Sequence, residues 1–187
     1  LLWTREDDMA HNPYRPGAYH NFKAGLDKDG KLVALTNHFV SFSNNGRVLG
    51  NANLPAGEFP AGYIPNHSYD QSLIAGGMPT GPMRAPVSNA VCFVYQSFLD
   101  EVASAAGKDP LQFRLDVLAA NLNATPARGA MSAKRMTDVL ALARDRSGWA
   151  TRASLPKGTG MGCAFYYSHQ GHFAHIAKVK VEPNGQF

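Results

Sequence analysis

The chain has 187 residues, of which 44% are hydrophobic and 17% charged, with a formal net charge of +4. That length fits one large domain or two small ones with a sizeable core. Lysines and arginines are spread without a basic run interleaved with aromatics, which argues against nucleic acid as a partner, and no apolar run reaches the ~18 residues of a membrane span. The charged fraction lies below the ~25% usual for soluble domains, which implies that part of the surface is covered by something else. Cys92 and Cys163 lie far apart without CxxC spacing and read as two buried thiols, not as a disulfide or a metal site.

The chain opens in Leu1-Leu2-Trp3-Thr4 without a starting methionine and stops at Phe187, just after Pro183-Asn184-Gly185. The expectation is an internal segment of a longer polypeptide over 1–187, with sub-parts at 1–75 and 76–187. Thr4 followed by Glu6, Asp7 and Asp8 reads as a helix cap with acids in the first turn, where negative charge is favoured. Pro13 and Pro16 close that turn. Tyr19–Leu26 and Lys31–Val40 alternate around Asp27-Lys28-Asp29-Gly30, predicting a hairpin; His20 and His38 on its two arms read as polar-face histidines. Ser41 to Ser68, rich in Asn, Gly and Pro, reads as a long functional or interface loop. Tyr69–Ile74 predicts a short strand.

Gly76 to Asn89 carries three glycines and three prolines in Gly76-Gly77-Met78-Pro79-Thr80-Gly81-Pro82-Met83-Arg84-Ala85-Pro86. Neither a regular helix nor a central strand tolerates that composition, so an ordered irregular loop is expected, with Arg84 as its one cation. It runs into a helix whose first amides lack internal partners, a place where an anion can sit. Glycine lets a ligand approach the main chain, and a guanidinium offers a fork of donors to phosphate or an electron-rich oxygen.

After Ser88, Val91, Tyr95, Phe98, Val102 and Ala106 recur at helical steps with Leu99 and Ala103 beside them, until Gly107. Asp109-Pro110-Leu111-Gln112 is a helix start, with Leu111, Leu115, Leu118 and Leu122 as its stripe. A third helix is predicted over 132–147 with Met136, Val139, Leu140 and Ala143 inward. Gly160 to Val181 predicts two strands around Ser168-His169-Gln170-Gly171. His169, His172 and His175 invite a metal hypothesis, but residues three apart on a strand face opposite sides, so no metal site is assigned.

Trp3-Thr4-Arg5-Glu6-Asp7-Asp8-Met9, the Tyr19-His20 hairpin, Gly81-Pro82-Met83-Arg84-Ala85-Pro86, Ser97-Phe98-Leu99-Asp100-Glu101, and Ala106-Gly107-Lys108-Asp109-Pro110 with Phe113-Arg114 together resemble a known family. It is the large molybdenum-binding subunit of the isoquinoline 1-oxidoreductase type, in the xanthine dehydrogenase and aldehyde oxidase superfamily. The resemblance implies an α+β segment of antiparallel hairpins with two to three packed helices. It further implies a molybdenum hydroxylase that oxidises an aldehyde or N-heterocycle with water as the oxygen source. The implied cofactor is molybdopterin in its cytosine dinucleotide form. A small iron-sulfur subunit is the implied partner, with a cytochrome c subunit as a further candidate and no nucleic acid. Relatives of this kind favour a periplasmic or membrane-associated place over the cytoplasm. Arg84 carries over as a catalytic, substrate-orienting group, and Gly81, Met83 and Ala85 as neighbours of the cofactor. Ala85-Pro86-Val87 stands where the xanthine branch has Gly-Phe-Gly, which argues against a purine substrate. The family's glycine-rich cofactor loop and its general-base glutamate have no counterpart here, so the segment is expected to be inactive by itself. The rival expectations are a non-catalytic interaction or scaffold module of the same fold, and a histidine-based metal binder.

Overall fold

The computed structural model describes residues 1–49 and 51–187; Gly50, inside the expected long loop, lies outside the described residues. The chain forms two compact units, Leu1–Gly25 with Val33–Tyr95, and Leu26–Leu32 with Gln96–Phe187.

In the first unit, α1 (Arg5–His11) begins with a capping box: Asp7 N–H donates to Thr4 Oγ1 at 3.2 Å while Thr4 N–H donates to Asp7 Oδ2 at 3.0 Å. The acidic trio is therefore a helix start, as expected from charge at the positive end of the helix. A four-stranded sheet follows, built from β1 (Tyr19–Leu26), β2 (Leu32–Asn44), β3 (Arg47–Val48) and β4 (Asn66–Ala75). The β1–β2 hairpin forms, and its turn is held by Asp27 Oδ1, which accepts from the Asp29 and Lys31 amides at 2.9 Å each.

The sheet departs from the hairpin expectation at β4, which runs parallel to β2 from Ala34↔Asn66 to Ser43↔Ala75. Parallel neighbours need a long crossover, and that is the role of the stretch expected to be a functional loop. The stretch is also shorter than predicted, because Ser41–Asn44 belongs to β2 and Asn66–Ser68 to β4. The sequence alternation there is masked by polar residues that point inward. Asn37, Ser41 and Ser43 lie on the same buried face of β2 as Leu35 and Phe39, and Ser41 is satisfied by donating to Ala52 O at 2.6 Å.

His20 is likewise not a polar-face residue. It shares strand parity with Phe22, stacks on that ring at 5.5 Å, lies 4.7 Å from Phe39, and takes a hydrogen bond from Asn37 Nδ2 at 3.1 Å. Asn37 also donates to the Tyr95 hydroxyl at 3.1 Å, and burial pushes the Tyr95 phenol up to about 12. His38, one residue along, is exposed and contacts Ser72 Oγ through Nε2 at 2.8 Å.

Helix α2 (Ser88–Ala105) buries Val91, Tyr95, Leu99, Val102 and Ala103; its residues up to Tyr95 belong to the first unit and those from Gln96 on to the second. Gly107 follows it with φ +65, a left-handed stop that costs glycine little. The second unit continues with α3 (Pro110–Leu118), α4 (Ala133–Ser147) and the antiparallel pair β5 (Thr159–Ser168) and β6 (Gly171–Lys180). Asp109 caps α3 by accepting from Gln112 N–H at 2.8 Å, and the same carboxylate accepts from Trp149 Nε1 at 3.0 Å and pairs with Arg152. Cys163 is buried and its thiol pushed up to about 11 by burial, whereas Cys92, expected to be buried, is half-buried on α2.

Arg114 is the least expected core residue, with no exposure at all. Its guanidinium donates to Gln96 Oε1 at 2.8 Å, Asp100 Oδ1 at 2.7 Å, Gln96 O at 2.7 Å and Pro110 O at 2.8 Å. Gln96 Oε1 accepts in addition from Phe165 N–H at 3.2 Å, which ties α2, α3 and β5 together. An ion taken out of water is tolerable only when it is paired and hydrogen-bonded.

Removing the carboxylate with Asp100→Ala should therefore cost about 3 kcal/mol, whereas Asp116→Ala, which breaks the partly exposed pair with Lys108, should cost under about 1 kcal/mol; urea unfolding of both variants checks the contrast. Burial also pushes His20, His67 and His172 below the ordinary imidazole value, offset at His20 in part by Asn37. The unfolded chain then binds protons on these rings at higher pH than the folded one. Their stabilising effect is complete above about pH 6.5 and is lost as pH falls through the depressed folded values. The melting temperature should drop between neutral pH and pH 5, and less so in His20→Gln.

Candidate functional site

The loop that follows β4 is held by main-chain pairing. Gly76 N–H donates to Ser43 O at 3.0 Å, extending β4's pairing with β2. Tyr14 N–H donates to Pro79 O at 2.9 Å, and Gly81 N–H returns to Tyr14 O at 3.1 Å, so the segment after α1 lies against the loop as a short parallel bridge. Gly81 is buried there, and a Cβ on it would sit 2.8 Å from Pro13 Cβ. The missing side chain at 81 is thus explained by close packing on Pro13.

The next turn is held by Arg15. Its NH1 donates to Ala85 O at 2.9 Å and Pro86 O at 3.1 Å, and its NH2 to Arg84 O at 2.6 Å. Ala85 takes φ +54, a left-handed conformation that costs a residue with a Cβ roughly 1–2 kcal/mol. Ala85 O also accepts from Asn89 N–H at 3.3 Å, and Val87 O from Val91 N–H at 3.2 Å, so the clamped turn passes directly into α2.

Of the residues expected at the site, Arg84 is exposed and, among the described residues, its guanidinium has no hydrogen-bond or ion-pair partner. Met83 beside it is 45% exposed, Ala85 is exposed, and Gly81 lies behind them. Thr80 Oγ1 is buried with no partner among the described residues. The loop therefore presents a cation with all of its donors uncommitted, next to a polarisable thioether, on a backbone held from behind. Such a group can take an oxyanion or orient an electron-rich oxygen. Arg15 escaped the sequence analysis because nothing in Tyr14-Arg15-Pro16 signals a partner some seventy positions away.

Elsewhere, His172 Nε2 accepts from Ser132 N–H at 3.0 Å at the start of α4. Among the described residues there is no group of three or more His, Cys, Asp or Glu side chains able to hold a metal ion. The open face of the first unit's sheet carries a polar depression of about 530 Å³ lined by Asn21, Lys23, Thr36, His38, Ser68 and Asp70. None of the expected site residues lines it. No helix among the described residues is long and apolar enough to cross a membrane.

The family described as "Molybdopterin cofactor-binding domain" matches residues 1–118, more than half of the chain and the whole of the Arg84 loop. The chain belongs to that family. Among curated relatives of this molybdopterin-binding domain, it is 28% identical to isoquinoline 1-oxidoreductase subunit beta of Brevundimonas diminuta over 96% of its own length and 22% of that protein's. It is 27% identical to the aldehyde oxidoreductase molybdenum-binding subunit of Escherichia coli, covering 99% of the chain and 26% of the relative. A further relative at 27% identity, over 88% of the chain and 23% of its own length, is the membrane-bound aldehyde dehydrogenase [pyrroloquinoline-quinone] of Gluconacetobacter polyoxogenes. The chain thus spans about a quarter of the length of the curated relatives it matches. The fold recurs in quinoline 2-oxidoreductase from Pseudomonas putida, with a TM-score of 0.54 at 18% identity over 80% of this chain and 21% of that one. It recurs also in the aldehyde oxidoreductase from Desulfovibrio gigas, with a TM-score of 0.53 at 18% identity over 81% of this chain and 18% of that one. The α+β class is that of the matched parts of these two oxidoreductases.

Two substitutions separate strain from packing in the loop. Ala85→Gly should raise stability by about 1 kcal/mol by relieving the left-handed alanine, and Gly81→Ala should lower it by about 1–3 kcal/mol by driving a methyl into Pro13; chemical denaturation reads both.

Proposed function

We propose that residues 1–187 act as one internal segment of a longer molybdenum-binding subunit, which oxidises an aldehyde or N-heterocycle with water as the oxygen source. The family match and the naming of two relatives as an oxidoreductase subunit and a molybdenum-binding subunit support this. The observation that carries it is Arg84, an exposed and uncommitted guanidinium on a loop held from behind. The residues fit an anionic cofactor: the side chain is free to face one, and Met83 and Ala85 beside it carry no negative charge to repel it. Molybdopterin, when bound, supplies the redox centre through which electrons leave the substrate.

In this proposal Arg84 orients the substrate and stabilises negative charge as it develops. Met83 and Ala85 border the cofactor, and Gly81 lets the loop close tightly enough on Pro13 to keep them in place. The chain by itself is inactive, because the remaining walls of the cavity come from the rest of the parent subunit. The cofactor is the cytosine dinucleotide form, electrons pass to a small iron-sulfur subunit, with a cytochrome c subunit as a further acceptor, and the enzyme is periplasmic or membrane-associated. Purines are not the substrate, since Ala85-Pro86-Val87 offers no aromatic ring to stack on one.

The test is metal and cofactor analysis of the parent protein, followed by steady-state kinetics. Molybdenum and a pterin should be present in equal amounts, and Arg84→Ala should lower turnover by about 10²–10³-fold while molybdenum content and circular dichroism stay unchanged. Full turnover in that variant would remove Arg84 from the chemistry. A quinone without molybdenum would point to the cofactor named for the Gluconacetobacter relative, and neither cofactor would leave the non-catalytic scaffold module.

A further inference from the structure

We infer that Arg15 is the positioning residue of the Arg84 loop, setting the direction in which the Arg84 side chain leaves the backbone; this rests on the role proposed above for Arg84. Three successive carbonyls, those of Arg84, Ala85 and Pro86, converge on one guanidinium. In an extended segment neighbouring carbonyls point to opposite sides, so convergence needs a reversal, and the left-handed Ala85 supplies it. A residue with a Cβ holds that conformation only when its surroundings over-determine it. Arg15 is the surrounding group that does so.

The clamp is itself fixed at its base. Tyr14, one residue before, is paired to Pro79 and Gly81 through the main chain. Pro16, one residue after, restricts Arg15 to extended backbone. The guanidinium therefore reaches the loop from a fixed origin, and its planar fork can span carbonyls that a point-like ammonium cannot. No carboxylate stands within ion-pair distance of either Arg15 or Arg84 among the described residues. The two positive charges thus share one turn, with only carbonyl dipoles to offset the first. That leaves the turn electropositive on the side where Arg84 is exposed, which suits a negatively charged partner.

The test compares Arg15→Met and Arg15→Lys in two measurements. Hydrogen exchange on the chain itself should show the amides of Gly81, Asn89 and Val91, which donate to Tyr14 O, Ala85 O and Val87 O, exchanging about tenfold faster in Arg15→Met, with the β2 and β4 amides unchanged. Arg15→Lys should fall between it and the unsubstituted chain. In the cofactor-loaded parent enzyme, Arg15→Met should lower kcat about tenfold at constant molybdenum content, and should add nothing further in an Arg84→Ala background, the non-additivity expected of residues acting as a unit. Unchanged loop exchange in both variants overturns the assignment, as does an equal loss of kcat with and without Arg84. If Arg15→Met does not fold, Arg15→Lys decides by the same readouts. A parent protein without molybdenum would sink the enzymatic proposal, while the exchange measurement would still decide whether Arg15 sets the loop.

Discussion

Backbone carbonyls that leave regular structure must find donors elsewhere, and at the approach to α2 one arginine supplies them. Arg15 gathers the carbonyls of Arg84, Ala85 and Pro86, whereas Arg114 reaches carbonyls that are already helical, those of Gln96 inside α2 and Pro110 at the start of α3. The two differ in what balances the charge. Arg114 is sealed from solvent and faces Asp100 and the Gln96 side chain, so it organises a core. Arg15 is half-buried and leans on dipoles alone, so it shapes a surface turn and leaves that turn positive.

That contrast bears on how an ordered surface loop can be built without a regular element. A loop rich in glycine and proline loses conformational freedom on ordering, and a bound ligand is one source of the missing constraint. Here the chain provides the constraint itself, through the Tyr14 bridge, the Gly81–Pro13 contact and the Arg15 fork. Arg84 is then presented on a backbone already in place, which is what the role proposed for it requires. The family match over residues 1–118 encloses every one of these parts.

Much of the fold was legible because it rests on local rules. Thr4 with Asp7, Asp109 with Pro110 and Gln112, and the Asp27–Gly30 turn are contacts within three or four residues, and each formed as its spacing predicts. The helical stripes of α2 and α4 also held, since Val91, Tyr95, Leu99, Met136 and Leu140 are buried at helical intervals. What misled were polar residues facing inward: Ser41, Ser43 and Asn37 disguised a long strand as a loop, and His20 passed for a surface residue although it lies among Phe22, Phe39 and Asn37. At the candidate site Met83, Arg84 and Ala85, named from the sequence, are exposed, while the close packing of Gly81 on Pro13 had no signal in the sequence.

By itself the sequence determined the caps, the turns, the helix faces and, through its motif strings, the family, because these depend on neighbours a few positions apart or on residue identity alone. Tertiary structure alone decided that β4 would lie parallel to β2, that Arg114 would be buried and that Arg15 would close on the carbonyls of residues 84 to 86. These pairings join residues from fourteen to some seventy positions apart. The physical reason is that a guanidinium or a strand edge carries generic donors and acceptors, and which partner it finds is set by the packing that brings distant segments together.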